Sequence, residues 1–179
     1  MNIINIKGSL HDKGVLGVLL HSQYMPTEEK LNLLADKYEA DVNVSAFACI
    51  DGIIVVGVIV VMSQALASLE ILSIAVEPDF RAKGIGSKLL SFVTKHLSCS
   101  HIYAETDADA VGFYRKCGFN NKSLGEKYPG VIRYHCSLIN ILIFAITPLS
   151  FYSWSSFLIS SFTADEEGGS RDNVPCVTP

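Results

Sequence analysis

The sequence predicts an α+β domain built around one mixed β-sheet. Apolar, β-branched runs of strand length alternate with stretches whose apolar residues recur every three or four positions, in the order strand, helices, hairpin, strand, helix, strand, helix, strands. The chain has 179 residues, the size of one domain, and 49% of them are hydrophobic, ample for a sizeable core. At its centre Leu69 to Leu97 reads as a strand, a basic glycine-bearing turn and an amphipathic helix.

Each element follows from local chemistry. Asn2 to Ile6 reads as a short first strand. Ser9 is placed to cap a helix running to about Ser22, with Val15, Leu16, Val18, Leu19 and Leu20 on its apolar side. Pro26 breaks that pattern, and Thr27 before Glu28 and Glu29 starts a second helix that continues to about Glu39. Val42 to Ile50 and Ile53 to Met62 are apolar runs joined by Asp51-Gly52, a dipeptide that favours a type I′ hairpin turn. The second run is too short to span a bilayer and reads as a central strand; Gly57 within it marks either a bulge or close packing.

Leu69 to Val76 is the next strand, ended by Pro78. Ile85, Leu89, Val93 and Leu97 then recur at helical spacing. His101 to Glu105 is a further strand, and Ala108 to Cys117 a short helix with Asp107 or Asp109 near its cap and Gly118 at its end. Phe119 to Leu124 and Val131 to Leu138 are the last strands, separated by a loop holding Lys127, Tyr128, Pro129 and Gly130.

The turn before the central helix points to a phosphate. Gly84 and Gly86 let the backbone approach a ligand without Cβ interference, so the unpaired N–H groups of the first helical turn are free for an anion. Arg81, Lys83 and Lys88 add positive charge where the helix dipole already favours a negative group. Two familiar motifs do not fit. A P-loop needs a lysine directly after its last glycine, and here Ser87 comes first; a dinucleotide turn needs its first glycine right after the strand and a third at Leu89. Glu105 lies where a ribose-binding acid would follow, but the turn before it is the wrong one. On its own, Gly-x-Gly at a helix start is also compatible with a purely structural turn.

The whole string is more specific. Val76-x-Pro78-x-x-Arg81-x-x-Gly84-x-Gly86-x-x-Leu89-Leu90 resembles the acetyl-CoA signature of the GNAT acetyltransferase superfamily, [Gln/Arg]-x-x-Gly-x-[Gly/Ala] after a strand. Ala110 to Phe119, AVGFYRKCGF, is similar to that family's later helix and turn. The resemblance runs from about Asn2 to Leu138 and is strongest in Glu70 to Phe119. It implies a mostly antiparallel sheet of about six or seven strands flanked by about four helices, and an N-acetyltransferase that moves an acetyl group from acetyl-CoA directly to an amine of a small molecule or protein.

The resemblance also implies roles for residues. Arg81, Ala82, Lys83, Gly84, Ile85, Gly86 and Ser87 would hold the pyrophosphate, and backbone N–H groups near Ile74, Ala75 and Val76 would hold the pantetheine and polarise the thioester carbonyl. Phe113 would line the cofactor cleft, and Tyr114 would donate a proton or hydrogen bond to the departing thiolate. Glu70 occupies the place where some histone-acetylating members carry a catalytic base; a strand-edge glutamate facing solvent is the other reading. The acceptor pocket would draw on Gln23 to Pro26, the Asp51-Gly52 hairpin and the Lys127 to Gly130 loop. One departure stands out: many members carry an asparagine before the later helix to bind pantetheine, whereas this chain has Asp107 and Asp109, which stay outside the site.

Composition limits the remaining classes. A net charge of −4 argues against nucleic-acid binding, which needs a basic face. The five cysteines have no CxxC pairing and the five histidines no metal-ligand spacing, so neither a disulfide framework nor a metal is expected, and a reducing, cytoplasmic setting fits. Cys117 as the carrier of a ping-pong acyl-enzyme is weighed against a structural thiol at a helix end. No signal peptide is read at the start, since the apolar run Met1 to Ile6 is short and Lys7, His11, Asp12 and Lys13 follow.

The domain is expected to occupy residues 1–138, with an uncharged apolar segment and an acidic, flexible end in residues 139–179. Leu138 to Phe162 is long enough to span a bilayer, but Pro148 and the serines of its second half favour a peripheral amphipathic segment or an extension over an anchor. Two further function classes therefore stand beside the enzyme: a catalytically silent acyl-CoA-binding module, and a membrane-associated interaction protein acting through that segment. A monomer or a homodimer is compatible with all three.

Overall fold

Seven strands and four α-helices form in the order β1 (Asn2–Asn5), α1 (Lys13–Leu19), α2 (Glu28–Ala40), β2 (Val44–Asp51), β3 (Ile54–Gln64), β4 (Ser68–Val76), α3 (Ile85–His96), β5 (His101–Thr106), α4 (Val111–Lys116), β6 (Asn120–Tyr128) and β7 (Val131–Ile139). Single 3-10 turns follow α1 at Leu20–Ser22 and β4 at Pro78–Phe80. The structure, a computed structural model, describes residues 1–139; the sequence expectations for the apolar segment and the acidic end beyond them lie outside the described residues. Among the described residues no helix is long and apolar enough to cross a membrane.

The strands form one sheet in the order β1-β2-β3-β4-β5-β7-β6. β4 and β5 are the parallel neighbours, joined by the crossover through α3, and every other neighbouring pair is antiparallel. The α+β class and the mostly antiparallel sheet expected from the sequence are what the chain forms.

The alternation of side chains across each strand divides the core in two. On one face α3 and α4 bury Ile85, Leu89, Val93, Val111 and Tyr114 against Val56, Ile59 and Val61 of β3, Leu69 and Ile71 of β4, and Ile102 and Ala104 of β5. On the other, α1 and α2 bury Val15, Val18, Leu31, Ala35 and Tyr38 against Ala46, Ala48, Val58, Val60 and Ala75. No member of this second cluster comes from β5, β6 or β7. Glu39 fixes the loop after β1 by accepting from the backbone N–H of Gly8 and Leu10, and Lys7 Nζ donates to the Tyr38 and Asp41 carbonyls at the end of α2.

Two bulges set the central strands. Between β2 and β3 the register shifts at Cys49/Ile50, so Val56 is the extra residue and it and Gly57 fall on the α3 side. A Cβ on Gly57 would lie 2.8 Å from Ile85 Cγ2 and 3.1 Å from Leu89 Cδ1. Gly57 thus adjoins a bulge and serves close packing as well. Between β3 and β4 the shift leaves Leu72 unmatched, so that Ile71 faces α3, Leu72 and Ser73 both face α1 and α2, and Ile74 faces α3 again.

Several boundaries differ from the sequence reading. Ser9 lies in a turn rather than at a cap; α1 begins after Asp12, with no side-chain cap bond. Thr27 does cap α2, its Oγ1 accepting from Lys30 N at 3.3 Å. The β2–β3 turn is Gly52-Ile53, because Asp51 pairs with Ile54. Gly52 has φ +62° and Ile53 is not left-handed, which suits a type II′ turn rather than type I′. Lys127 and Tyr128 belong to β6, not to a loop, and the connection shrinks to Pro129-Gly130. Helix α4 is shorter than expected because Asp107 Oδ1 accepts from Asp109 N and Ala110 N, both at 3.1 Å, holding those residues in a turn.

The contact at Gly57 yields a stability prediction. Ile85 is β-branched and held at χ1 in the first turn of α3, so its Cγ2 cannot swing aside. Gly57→Ala is expected to destabilise the protein by about 1–2 kcal/mol through overpacking, read from a lower midpoint of urea denaturation with an unchanged slope.

Candidate active site

The site begins where two strands part. β4 and β5 pair over Ser68–His101, Leu69–Ile102 and Glu70–Tyr103. Beyond that rung β5 continues beside β7 as far as Thr106, while β4 continues beside β3 as far as Val76. The β5-facing edge of β4 from Ile71 to Val76, which includes Ile74, Ala75 and Val76, therefore has no strand beside it. Backbone N–H groups along a strand point alternately to either side, so some of these are left for a ligand or water.

The chain then turns from Val76 into α3. Arg81 Nε donates to the Val76 carbonyl at 3.1 Å, bracing the exposed turn against the end of β4. Ala82 (φ +60°) and Gly84 (φ +77°) are left-handed, and Gly84 is the residue before the first helical turn. Lys83 Nζ lies 4.6 Å from the centre of the Phe80 ring. Ile85 and Gly86 are buried, and Ser87 is exposed with its Oγ 3.4 Å from Cys117 Sγ. Lys88 departs from the sequence expectation: its Nζ donates to the Met1 carbonyl at 2.8 Å, away from the turn.

Gly86 explains how α4 meets this turn. A Cβ there would stand 2.8 Å from Phe113 Cε2 and 3.0 Å from Cζ, so the ring lies directly on the helix backbone. Phe113 in turn packs edge-to-face on Tyr114, with centroids 5.2 Å apart, and Tyr114 packs likewise on Phe119 at 5.3 Å. The Tyr114 hydroxyl has no hydrogen-bond partner among the described residues. Burial, reinforced by Cys136, Cys117 and Asp107, raises the Tyr114 phenol far above its ordinary value. Tyr114 is thus held protonated.

Glu70 lies on the last shared rung of β4 and β5, on the sheet face opposite Leu69 and Ile71. It is half-buried, and its Oε2 accepts from Gln64 Nε2 at 3.2 Å and Tyr103 Oη at 3.3 Å. The residues proposed for proton handling therefore approach the gap from opposite faces: Tyr114 from the α3 and α4 side, Glu70 from the α1 and α2 side.

The acceptor residues come together only in part. Gln23 Nε2 donates to Ser73 Oγ at 3.3 Å, so the link after α1 reaches the bulge of β4. No hydrogen bond or ion pair among the described residues joins the Gly52-Ile53 turn to Gln23 or to Lys127. Lys127 pairs with Glu105 at 3.4 Å, tying β6 to β5.

Sequence reasoning missed one group. Buried Ser73 shares a hydrogen bond with Tyr38 Oη at 2.9 Å, which fastens α2 to β4 at its bulge. The signal is a serine inside the apolar run LEILSIAV; its partner, 35 residues upstream, lies within the second predicted helix, which by itself gives no sign of the contact. Among the described residues no group of three or more His, Cys, Asp or Glu side chains could hold a metal.

Comparison with known proteins agrees with this architecture. A family model described as an acetyltransferase (GNAT) domain matches residues 43–121, from β2 to the start of β6. No curated protein matches the chain. Among solved structures, a GNAT family acetyltransferase from Elizabethkingia anophelis with acetyl-CoA bound aligns over 78% of this chain and 97% of its own, with TM-score 0.58 and 19% identity. A ribosomal-protein alanine N-acetyltransferase from Escherichia coli aligns over 77% and 92%, with TM-score 0.63 and 18% identity. A spermidine N-acetyltransferase from Vibrio cholerae aligns over 80% and 97%, with TM-score 0.60 and 19% identity. At such identities the structural likeness speaks for the fold, and over residues 43–121 the sequence is similar to the acetyltransferase (GNAT) domain family.

Proposed function

We propose that the chain is an acetyl-CoA-dependent N-acetyltransferase that passes the acetyl group directly to an amine of a small molecule or a protein. The observation that carries this reading is one juxtaposition. The free edge of β4 opens beside a glycine-started helix, and Tyr114 packs against that helix through Phe113. These residues fit an elongated anionic thioester. The first-turn N–H groups of α3 would take the pyrophosphate, Arg81 and Lys83 would add charge, and the N–H groups of Ile74 to Val76 would take the amides and the thioester oxygen.

Acetyl-CoA supplies an acyl carbon activated by sulfur. What the protein must manage is two protons. An alkyl ammonium has a pKa near ~10, so the acceptor must lose a proton before its nitrogen can attack, and Glu70 takes that proton directly or through water. As the C–N bond forms and the C–S bond breaks, the electron pair passes to sulfur. Tyr114 donates a proton or a hydrogen bond to it. The nitrogen gives a second proton to water as the amide forms, and water returns one to the phenol and removes one from Glu70, so each turnover releases one proton.

Titration of the full chain with acetyl-CoA by calorimetry tests this first. Binding in the micromolar range is expected, and its loss in Gly86→Glu, which sets bulk and negative charge against Phe113 and the pyrophosphate turn. Absence of acetyl-CoA binding would sink the proposal; binding without turnover of any amine would leave a silent acyl-CoA-binding module. In steady-state assays Tyr114→Phe is expected to lower kcat by about 100-fold with little change in acetyl-CoA affinity.

The raised Tyr114 phenol also makes stability depend on pH. In the unfolded chain the phenol ionises near pH ~10, whereas in the folded chain it stays protonated. Stability is therefore complete below pH ~10 and falls above it, by about 1.4 kcal/mol per pH unit for each such tyrosine. Tyr38 and Tyr103 are raised as well, chiefly by burial, and so are the Cys99 and Cys136 thiols. Urea denaturation at pH 8 and pH 11 should show a smaller loss in Tyr114→Phe than in the parent protein.

A further inference from the structure

Glu70 and Tyr103 face each other at the rung where β4 and β5 part. Both donors to the Glu70 carboxylate, Tyr103 Oη at 3.3 Å and Gln64 Nε2 at 3.2 Å, use the same oxygen, Oε2. Oε1 accepts no hydrogen bond from the described residues. Nor does any lysine, arginine or histidine among them form an ion pair with Glu70. Two basic groups of the neighbouring strands are engaged elsewhere: Lys127 with the Glu105 carboxylate at 3.4 Å, and Arg133 with the Glu105 carbonyl at 3.1 Å.

A carboxylate held this way is polarised unevenly. Neutral donors favour its charged form without cancelling the charge, and by sharing one oxygen they leave the other with both lone pairs. Tyr103 itself is fixed on two sides. Its ring stacks on His101 of its own strand at 5.5 Å and lies tilted against His135 of β7 at 5.6 Å, and His101 Nδ1 lies 3.5 Å from Ser68 Oγ. Burial and the negative charge of Glu70 keep its phenol protonated, so it stays a donor throughout the working pH range.

We propose that Tyr103, assisted by Gln64, is a positioning residue for Glu70: it anchors Oε2, so that Oε1 stands free to take the proton of the acceptor's ammonium. This rests on Glu70 being the base of the transfer. The titratable groups around the pair are His101 on β5, His135 on β7 and, one pair farther along β5, Glu105 with Lys127. All remain in Tyr103→Phe, which keeps the ring stack and removes one hydroxyl. A difference between that variant and the parent therefore reports the hydrogen bond alone.

The test follows the carboxyl of Glu70 by carbon NMR in the full chain labelled at glutamate, assigned by comparison with Glu70→Gln. Tyr103→Phe removes a donor to the ionised form and is expected to move the pH course of the Glu70 carboxyl signal upward from the parent's, and Gln64→Leu to move it the same way. With acetyl-CoA and n-butylamine as the acceptor probe, the acid limb of kcat/KM should move up in pH by the same amount in Tyr103→Phe. A Glu70 carboxyl that titrates at one pH in the parent and both variants overturns the anchoring role. An acid limb that persists unchanged in Glu70→Gln overturns instead the base role on which the proposal rests, and the NMR midpoints tell these two failures apart.

Discussion

The structure depends on a strand edge that stays unpaired. A sheet gains by satisfying every backbone N–H and C=O, and leaving several open in a half-buried place costs free energy unless water or a ligand takes them. β4 does this from Ile71 to Val76, because β5 parts from it after three shared pairs while staying paired with β7 throughout. The rest of the centre supports that edge. The bulge at Leu72 changes which face each later residue occupies, Ser73 is pinned by Tyr38 and Gln23, and β3 holds the far side of β4 in an unbroken ladder from Gly57 onward apart from that bulge. Gly57, lacking a Cβ, lets α3 settle close enough to bring its first turn to the end of β4.

The opened sheet separates the two proton tasks of the proposed reaction. A donor and an acceptor of protons placed within reach of each other would exchange directly. Here Tyr114 belongs to the core beneath α3 and α4, and Glu70 emerges on the opposite face, with the parted strands between them. The environments differ accordingly. Tyr114 sits among aromatic rings that withhold solvation from a phenolate, while Glu70 has two neutral hydrogen-bond donors and open surroundings that suit a carboxylate.

Much of this was legible because it is local. Periodicity placed the strands and helices, and the spacing of Arg81, Gly84 and Gly86 after a β-branched strand marked the turn that carries left-handed φ at Ala82 and Gly84. The failures were where a distant partner decides. Asp51-Gly52 has the composition of a type I′ turn, but the ladder pairs Asp51 with Ile54 and shifts the turn by one residue. Lys88 looked like part of a basic cluster until the carbonyl of Met1 claimed it. Ser73, Tyr38, Tyr103 and Gln64 could each be read, but not that they would meet, since those meetings depend on a bulge and on strand order that no local pattern encodes.

The order of the strands has a consequence for solubility. An exposed sheet edge is a template on which another chain can add itself. The two edges here are β1 and β6. β1 is four residues long, too short to offer more than a few backbone groups. β6 is nine residues long and almost wholly exposed, but its register breaks twice around Gly125, and Lys122, Glu126 and Lys127 are spaced along it. A straight incoming strand would meet a kinked partner whose solvated charges it would have to strip of water. The apolar β3 and β4 are confined to the middle of the sheet, so the segments best suited to growing a fibril are the ones least available to start it.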